Sequence, residues 1–286
     1  MKKVIYLCLS ILLLASCNNK TKTIDVNVMS FNIRYDNPED SLNNWQYRKD
    51  NAAQIIKDKK IDILGTQEVL VNQLNDLKER LPEYNAIGVG REDGIDKGEY
   101  SAIFYNKNRF TENKSGYFWL SETPEVAGSK GWDGACERIA TWAILTDKET
   151  KKEIFVLNTH LDHVGKIARQ EGVTLLLNKV AELSNGLPVV VTGDFNSDPE
   201  SDVIKHVTNE ADTKHLINAK SIAIATQGEQ WTFHDFDRLP VENREFIDYI
   251  FVNKGVEVTT FEVIPAKLND GFLSDHCPIF AQIKIK

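Results

Sequence analysis

Several apolar runs in this chain end at polar side chains of the types that bind metal ions or phosphate groups. Residues 187–193 are almost continuously apolar and lead directly to an aspartate, a pattern typical of a strand covered on both faces. A fold that brings such strand ends together forms a carboxylate site for a hard cation, flanked by two imidazoles. Metal-assisted phosphoester hydrolysis suits such a site. The polar positions are Asn32, Glu68, His160, Asp194, Asn196, Asp248, Asp275 and His276.

Each of these positions taken alone also fits a simpler interpretation. Asp194 and Asn196 could satisfy the backbone of a turn, and Asp275 could precede a helix cap. Acids and amides follow several apolar strands, however, and ligands of α/β sheets gather at strand ends. The coincidence favours one shared site.

The first residues predict export. Residues 1–16 have a basic start, an apolar stretch and a small-residue exit, as in a secretory signal too short to span a bilayer. Residues 14–17 resemble a bacterial lipobox, which predicts lipidation of Cys17; the alternative is an ordinary signal peptide that happens to contain Cys17. Residues 17–23 are then a tether and residues 24–286 one domain. We expect a lipid-anchored protein of the bacterial cell envelope, on the periplasmic face or the cell surface.

The net charge limits the ligands to be expected, and the cysteine content limits the possible disulfides. Removal of the leader, with its two lysines, leaves 32 basic and 42 acidic residues, a formal charge of −10. Proteins that hold long duplex nucleic acid nonspecifically usually present a basic surface, so the composition favours a small phosphoester or a locally held single strand. Cys8 lies in the leader and Cys17 is the expected anchor, while Cys136 and Cys277 permit one disulfide without demanding it.

Predicted strands and helices alternate along the chain, which indicates an α/β fold. The long segments 93–99, 122–134 and 225–243 read as loops, and long loops on a compact domain often face the substrate. Strands are predicted at 24–31, 61–65, 84–89, 100–105, 138–145, 154–159, 187–193, 246–252 and 279–285, and helices at 45–57, 71–81 and 165–183.

An ordered set of motifs resembles the endonuclease/exonuclease/phosphatase superfamily, whose fold is that of deoxyribonuclease I. The matching segments are 30–34, 67–69, 158–163, 193–199, 247–250 and 274–278. They cover nearly the whole chain after the leader, and residues 231–234 are similar to the deadenylase-like branch. The resemblance implies a four-layer α/β sandwich, in which two packed mixed sheets are flanked by helices.

The resemblance also implies a metal site. Asn32, Glu68 and Asp275 take the positions of the family's metal ligands, with Glu68 as the principal one. Mg²⁺ is the expected cofactor, with Mn²⁺ as a substitute, because Mg²⁺ prefers a few carboxylates and several waters. The sequence is equally compatible with one ion and with two.

Five further residues match the family's catalytic positions. Asp194 is expected to position or deprotonate the attacking water, and Asn196 to hold a phosphate oxygen. Asp248 is expected to hydrogen-bond His276 and raise its basicity, so that His276 meets the phosphoryl group as imidazolium. His160 is the second imidazole. Cationic groups on the phosphoryl and a placed water are what phosphoester hydrolysis requires.

Three residues are candidates for phosphate or substrate binding. Arg138 resembles the family's phosphate-contacting arginine, the alternative being a surface salt bridge with Glu137 or another acid. Arg34 shares a motif with a predicted metal ligand, and structural and functional roles are open for it. Trp231 could stack on a base or sugar or simply pack under a loop. Asp162 could be catalytic or a helix cap.

The sequence therefore predicts a Mg²⁺-dependent phosphoesterase, with a nuclease-type phosphodiester hydrolase favoured. Alternatives are a phosphomonoesterase or a lipid phosphodiesterase of the same superfamily, and a noncatalytic binding lipoprotein on the same scaffold. The expected substrate is an oligonucleotide, a nucleotide, a sugar phosphate or a phospholipid. We expect no obligate protein partner and no membrane contact beyond the lipid anchor.

Overall fold

The computed structural model describes residues 23–286 and forms two large β-sheets with helices outside them. The predictions for the signal peptide and for Cys17 lie outside the described residues. The strands are β1 (Ile24–Asn32), β2 (Ile63–Val69), β3 (Tyr84–Ile87), β4 (Tyr100–Asn106), β5 (Phe110–Trp119), β6 (Ile139–Asp147), β7 (Glu153–His160), β8 (Val189–Asp194), β9 (Ile217–Asn218), β10 (Ala225–Gln227), β11 (Asp248–Val252), β12 (Val256–Val263), β13 (Lys267–Leu268), β14 (Gly271–Phe272) and β15 (Ile279–Ile285). The α-helices are α1 (Trp45–Asp58), α2 (Val71–Arg80), α3 (Lys166–Ser184), α4 (Asp202–Val207) and α5 (Ala219–Ile222), and short 3₁₀ helices span Pro38–Asn43 and Val241–Asn243.

The two sheets contain seven and six of these strands. The first has the order β10-β12-β15-β1-β2-β4-β3 and the second β5-β6-β7-β8-β11-β9, while β13 and β14 form a separate hairpin. Both sheets are mixed, because β1 pairs with β2 in parallel and β7 pairs with β8 in parallel, while most other pairs are antiparallel. The predicted α/β class is confirmed.

Alternating side chains of the strands separate two hydrophobic cores. In β1, Val28 packs into the core that also contains residues of the second sheet and of α3. Its neighbour Met29 points the other way and packs with residues of α1 and α2. Successive side chains of a strand face opposite sides, so the layers run helices, sheet, sheet, helices. This is the four-layer sandwich that the sequence predicted.

A buried polar cluster joins the two sheets next to the apolar core. The amide nitrogen of Asn158 donates to the carbonyls of Thr66 at 2.8 Å and Ala102 at 3.0 Å. Its Oδ1 accepts from Gln67 Nε2 at 2.7 Å and from Thr192 Oγ1 at 3.0 Å. All four polar positions of Asn158 are thereby satisfied, so the cluster fixes how one sheet lies on the other.

Gly65→Ala is expected to lower the free energy of unfolding by about 3 kcal/mol. A Cβ at Gly65 would overlap the hydroxyl of Thr192 and the side-chain oxygen of Asn158, which lie in the facing sheet. Gly172→Ala in α3 is the matched control, since its nearest neighbours are 3.7 Å away and alanine is favoured in helices. Urea denaturation of both variants checks this; equal stabilities would show that the sheets can move apart at Gly65.

The strand ends that carry the predicted site meet at one edge of the sandwich. In the first sheet Asn32 lies opposite Gln67, one residue before Glu68. In the second sheet Asp194 lies opposite His160 on one side and Asp248 on the other. The parallel pairs β1–β2 and β7–β8 place their carboxyl ends at this edge, and Asp248 reaches it as the first residue of the antiparallel β11, so side chains distant in sequence converge here. Within residues 23–286 no helix is both long and apolar enough to cross a membrane.

Candidate active site

Glu68 is held in place by a strained backbone and by two hydrogen bonds. Its φ is 60°, a left-handed value that costs a non-glycine residue about 1–3 kcal/mol. The pairing of β2 with β4 shifts register between Thr66 and Val69, so Glu68 lies on an irregular turn of the strand. Oε1 accepts from Asn32 Nδ2 at 3.0 Å and Oε2 from the Tyr35 N–H at 3.1 Å. The carboxylate is thereby aimed into the cleft.

Arg34 links the carboxylates on this side of the cleft. Its Nε lies 3.0 Å from Asp40 and 3.6 Å from Asp275, and its Nη1 lies 3.9 Å from Glu68. Arg34 also has a left-handed φ of 58°, and its N–H donates to Asn32 Oδ1 at 3.0 Å. Arg34 therefore orients Glu68 and Asp275 and lines the cavity as well. These contacts support both the structural and the functional role that the sequence left open for Arg34.

Asn32 presents its amide nitrogen to the neighbouring carboxylates. Nδ2 lies 3.0 Å from Glu68 Oε1 and 3.0 Å from Asp194 Oδ2, while Oδ1 accepts the Arg34 N–H. The amide thus aligns two carboxylates, and its oxygen is directed away from them. Metal ligation by Asn32 stays a prediction, and it requires this amide oxygen.

Asp248, His276 and Asp194 form a connected series of buried groups. His276 Nδ1 lies 2.8 Å from Asp248 Oδ2, and its Nε2 lies 3.8 Å from Asp194 Oδ2. Burial acts to lower the pKa of His276, but the Asp248 carboxylate outweighs it and raises the pKa to about 10. His276 is therefore an imidazolium at neutral pH, as the sequence interpretation requires.

Asp194 has the properties of a base for an attacking water. Burial, together with the neighbouring Asp248 carboxylate, raises the pKa of Asp194 to about 7. Hydrogen bonds from the Asn196 N–H at 2.9 Å and from Asn32 oppose this shift. A carboxylate with a pKa near neutrality is a stronger base than an ordinary one and is still partly ionised at neutral pH.

His160 and Asn196 lie on the other side of Asp194. The Asn196 amide nitrogen is 3.0 Å from His160 Nε2, and Asp194 Oδ2 is 3.5 Å from the same ring nitrogen. Asn196 has a φ of 45°, a conformation that asparagine tolerates better than most residues. Burial is the main reason that the pKa of His160 is well below its usual value, and the positive charges of Arg138 and Arg91 lower it further. His160 is thus neutral until an anion approaches it.

Two residues that the sequence analysis missed complete this side. Glu99 Oε2 lies 3.9 Å from His160 Nδ1, which is buried and otherwise without a hydrogen-bond partner in the described chain. Arg91 holds Glu99 through two hydrogen bonds of 2.7 and 2.9 Å. Glu99 is the last residue of the loop predicted at 93–99 and Arg91 lies two residues before that loop, whose expected substrate-facing position was the available signal. No motif pointed to them individually.

Arg138 is a buried cation with unused hydrogen-bond donors. Its Nη2 lies 3.0 Å from His163 Nδ1, and its Nε lies 3.7 Å from Asp162. Nε and Nη1 are buried and have no hydrogen-bond partner among the described residues. The predicted alternative was a surface salt bridge with Glu137 or another acid; the ion pair that Arg138 makes is with Asp162 and is buried, and Arg138 also lines the cavity. Buried unpaired donors of this kind point to an anionic ligand.

Asp162 has a structural position. Oδ1 accepts from the N–H groups of Val164 and Gly165 at 2.9 and 2.6 Å, just before α3. Oδ2 accepts from the Ala135 N–H at 2.9 Å and so ties the loop before β6 to the start of the helix. Of the two interpretations left open, a structural role fits the observed contacts, but Asp162 stabilises the turn before α3, while the N–H groups of the first helical turn donate to Asp133.

The predicted substrate-binding residue Trp231 lies away from the cavity. Its ring packs partly buried against the core, with the Arg244 guanidinium 4.4 Å above it. It is not among the cavity-lining residues of the described chain, whereas its neighbours Phe233 and Asp235 are. Trp231 therefore supports the loop that carries them, and stacking of Trp231 on a substrate stays a prediction. Cys136 and Cys277 are free thiols.

One cavity of about 500 Å³ contains most of the predicted site. Three predicted residues do not line it: Asn32, Asp248 and Trp231. Asn32 hydrogen-bonds the lining residue Glu68, and Asp248 hydrogen-bonds the lining residue His276. The predicted residues that do line it are Arg34, Glu68, Arg138, His160, Asp194, Asn196, Asp275 and His276.

The donors in this cavity suit a divalent cation. Oxygen or nitrogen atoms of Glu68, His160 and Asp194 lie within 4.8 Å of one another, and Asp275 shares Arg34 with Glu68. Burial raises the pKa of Asp275, and the nearby Glu68 carboxylate raises it further. Crowded, buried carboxylates of this kind are stabilised by a bound cation. The fold and the site together define a metal-dependent hydrolase of phosphoesters.

Thr232 holds the backbone next to both members of the Asp248–His276 pair. Oγ1 is buried and lies 3.0 and 3.2 Å from the N–H groups of Ile247 and Asp248, while the Thr232 carbonyl accepts the Cys277 N–H at 2.6 Å. Thr232→Val is expected to lower the free energy of unfolding by about 1–3 kcal/mol, since two buried donors lose their acceptor. Thermal unfolding measures this; Thr174→Val on the exposed face of α3 is the control. An unchanged melting temperature would contradict it.

Comparisons with known proteins agree with this class. The sequence profile of the Endonuclease/Exonuclease/phosphatase family matches residues 29–276. The chain belongs to this family, which confirms the resemblance found in the motifs. A solved endonuclease/exonuclease/phosphatase from Bacteroides vulgatus is 48% identical, covers 92% of this chain and 100% of its own, and superposes with a TM-score of 0.89.

Two further relatives differ in what their names describe. A mannosyl-6-phosphatase of Bacteroides thetaiotaomicron is 37% identical, covers 90% of this chain and 99% of its own, and has a TM-score of 0.84. The CCR4-Not complex 3′-5′-exoribonuclease subunit Ccr4 of Mycosarcoma maydis is 23% identical over 338 residues, covering 91% of this chain but 50% of that protein. The chain thus spans about half the length of the second relative.

Proposed function

We propose that this protein is a Mg²⁺-dependent phosphomonoesterase that removes the terminal phosphate of a small phosphorylated sugar. The observation that carries the proposal is the unused cationic capacity at the cavity: Arg138 lines it and has two buried donors without a hydrogen-bond partner among the described residues, and His276 and Asn196 line it as well. A monoester phosphate has three terminal oxygens and up to two negative charges, while a diester has two such oxygens and one charge. The site therefore fits the monoester better.

The similarity to the mannosyl-6-phosphatase supports the same choice. That protein is 37% identical and matches nearly end to end. The cavity of about 500 Å³ is of the size that holds a small ligand rather than a polymer. The net acidity of the chain also disfavours long nucleic acid.

We assign the cation to Glu68 and Asp275; ligation by Asn32 would require its amide to turn, because its nitrogen faces Glu68 and its oxygen accepts the Arg34 N–H. Bound there, Mg²⁺ would supply positive charge against the phosphoryl and leaving oxygens. Carboxylate oxygens are its preferred protein ligands, and Mn²⁺ is expected to substitute. Arg34, which contacts both carboxylates, keeps the pair in place before any cation arrives.

The protein groups divide the remaining work around Asp194. The Asp194 carboxylate orients the water and takes its proton, while the Asn196 amide donates to a phosphoryl oxygen. The His276 imidazolium, kept charged by Asp248, faces another oxygen. An approaching phosphoryl anion also favours protonation of His160, which is neutral without it. No side chain in this arrangement needs to form a covalent bond to phosphorus.

Phosphate release by the purified protein tests the proposal. Mannose 6-phosphate, bis(p-nitrophenyl) phosphate and a single-stranded oligonucleotide are compared with Mg²⁺ and with EDTA, with His276→Ala as the inactive control. We expect kcat/KM for the monoester to exceed that for either diester by at least about tenfold, and EDTA to abolish turnover. A preference for the oligonucleotide would reject the monoesterase.

A nuclease-type phosphodiesterase is the second candidate, and the sequence analysis favoured it. Its support is the match to the exoribonuclease subunit Ccr4 and the motif at residues 231–234. The ranking is reversed here because Trp231, the base-stacking candidate of that motif, lies under Arg244 and outside the cavity lining of the described chain. A noncatalytic binding protein is set aside, because the chain belongs to a family of hydrolases.

We also propose export and lipid anchoring through Cys17. The support is the leader in residues 1–16 and the lipobox at residues 14–17. Metabolic labelling with a fatty-acid analogue in a bacterial host tests it. Label retained after Cys17→Ser would reject the anchor.

A further inference from the structure

The two sides of the cavity carry different chemistry, and Asp194 separates them. On the His160 side lie Arg138, with two unpaired buried nitrogens, and Arg91, whose Nε is also buried and unpaired in the described chain. Both arginines line the cavity together with His160, and Arg91 is linked to His160 through Glu99, which lies 3.9 Å from the His160 ring. His160 in turn lies 3.5 Å from Asp194. This side of the cavity therefore offers cationic donors.

On the other side of the cavity, an aromatic ring and a carboxylate lie next to the His276 imidazolium. The Phe233 ring lies 4.9 Å from the His276 ring, centroid to centroid, and the Asp235 N–H donates to the Asp275 carbonyl at 3.2 Å. Phe233 and Asp235 both line the cavity and are partly exposed. The nearest cation to the Asp235 carboxylate is the exposed Arg238, at 3.7 Å, beyond hydrogen-bonding distance. The Asp235 oxygens are thus available to a ligand.

We propose that Phe233 and Asp235 form the subsite for an uncharged, hydroxyl-bearing leaving group, while the free phosphate oxygens face Arg91 and Arg138. This inference rests on the proposed phosphomonoesterase function and names the substrate class more closely: the phosphate monoester of a neutral polyol. A carboxylate only accepts hydrogen bonds, so it selects hydroxyl groups. An aromatic ring packs against the apolar face of a sugar.

The same arrangement disfavours a second phosphate on the substrate. A phosphate on the leaving group would meet the Asp235 carboxylate, and the exposed Glu245 also lines this part of the cavity. Like charges at short distance repel, and the repulsion grows when water is excluded. A sugar bisphosphate is therefore expected to be a poorer substrate than a sugar monophosphate.

The backbone at Asp235 holds this carboxylate at the cavity. Residues Asp235, Phe236 and Asp237 have φ values of 49°, 52° and 63°, three consecutive left-handed positions. The buried His234 ring stabilises the turn, because its Nδ1 lies 3.1 Å from the Asp237 N–H. Asparagine tolerates the left-handed region as well as aspartate does, so Asp235→Asn removes the charge and keeps the turn.

Kinetics of Asp235→Asn on three substrates test the proposal. Mannose 6-phosphate carries the neutral polyol, p-nitrophenyl phosphate lacks hydroxyl groups, and a hexose 1,6-bisphosphate adds a second phosphate. We expect kcat/KM for mannose 6-phosphate to fall about tenfold or more relative to p-nitrophenyl phosphate. The bisphosphate is expected to improve relative to mannose 6-phosphate. Glu242→Gln, in the same segment but outside the cavity lining, is the matched control and should change no ratio.

The outcomes separate the two proposals. Equal effects of Asp235→Asn on mannose 6-phosphate and p-nitrophenyl phosphate would overturn the subsite and leave the monoesterase standing. Failure of the unaltered protein to hydrolyse either would overturn the monoesterase and the subsite with it. Retained turnover of p-nitrophenyl phosphate shows that the variant is folded, and Phe233→Leu, expected to raise KM for mannose 6-phosphate selectively, supplies a second variant at the same subsite.

Discussion

Glu68→Gln is expected to lower kcat by about 10³-fold and to abolish binding of Mg²⁺ at millimolar concentrations. Glutamine has the size of glutamate and its oxygen can still accept a hydrogen bond from Asn32 or Tyr35, so the cleft keeps its shape. It lacks the negative charge that makes Glu68 the principal predicted ligand for a hard cation. Steady-state kinetics over a range of Mg²⁺ concentrations, together with calorimetric titration of Mg²⁺, measure both effects.

Glu79→Gln is the matched control for this change. Glu79 lies on α2 with its side chain 81% exposed, and its carboxylate lies no closer than 4.0 Å to Arg80. The control is expected to leave kcat and Mg²⁺ binding unchanged. If Glu68→Gln bound Mg²⁺ as the unaltered protein does, the cation would have to be reassigned to the carboxylates around Asp194.

The buried strands were predictable because the order of apolar and polar residues in them is typical of buried strands. β8 is apolar almost throughout, and β1 alternates Val and Ile with smaller or polar residues, so both could be recognised without a structure. β5 was missed because residues 111–116 are polar or exposed at the edge of the second sheet. β12 was missed although it is apolar at four positions, because a bulge between Val258 and Thr260 interrupts its alternation. Irregular and edge strands lack the period that sequence reasoning uses.

The reacting groups were predictable, and the groups that surround them were not. Asp194 ends an apolar strand and His276 comes shortly before one, both in recognisable motifs, whereas Arg91 and Glu99 are a loop arginine and a loop glutamate with no distinctive spacing. Only the fold shows that Glu99 lies 3.9 Å from a buried ring nitrogen of His160. The left-handed φ of Glu68 likewise accompanies the irregularity of the strand, and no residue type in the motif predicts that irregularity.

His276→Ala is expected to lower kcat by about 10²- to 10⁴-fold while Mg²⁺ binding is retained. The imidazolium lies 3.8 Å from Asp194 and lines the cavity, so its loss removes positive charge from the phosphoryl group during reaction. Glu68 and Asp275 remain in place, so the cation should still bind. Single-turnover kinetics of a phosphate monoester, with Mg²⁺ titration alongside, separate loss of chemistry from loss of the cation.

The contribution of Asp248 is expressed through the same histidine, and a double-mutant cycle shows it. Asp248 Oδ2 lies 2.8 Å from His276 Nδ1, and this carboxylate, ahead of Asp194 and Asp275, raises the pKa of His276 to about 10 against the effect of burial. Asp248→Asn alone therefore leaves an imidazole whose pKa falls, and activity should decline as pH rises above neutrality, where the unaltered protein stays protonated. In the double variant the imidazole is absent, so the change at Asp248 has nothing further to affect. The loss of rate in the double variant should therefore equal the loss in His276→Ala alone, not the product of the two single losses. Multiplicative losses would mean that Asp248 acts on the reaction by a route of its own, for which Asp194, directly opposite it in β8, is the neighbouring carboxylate.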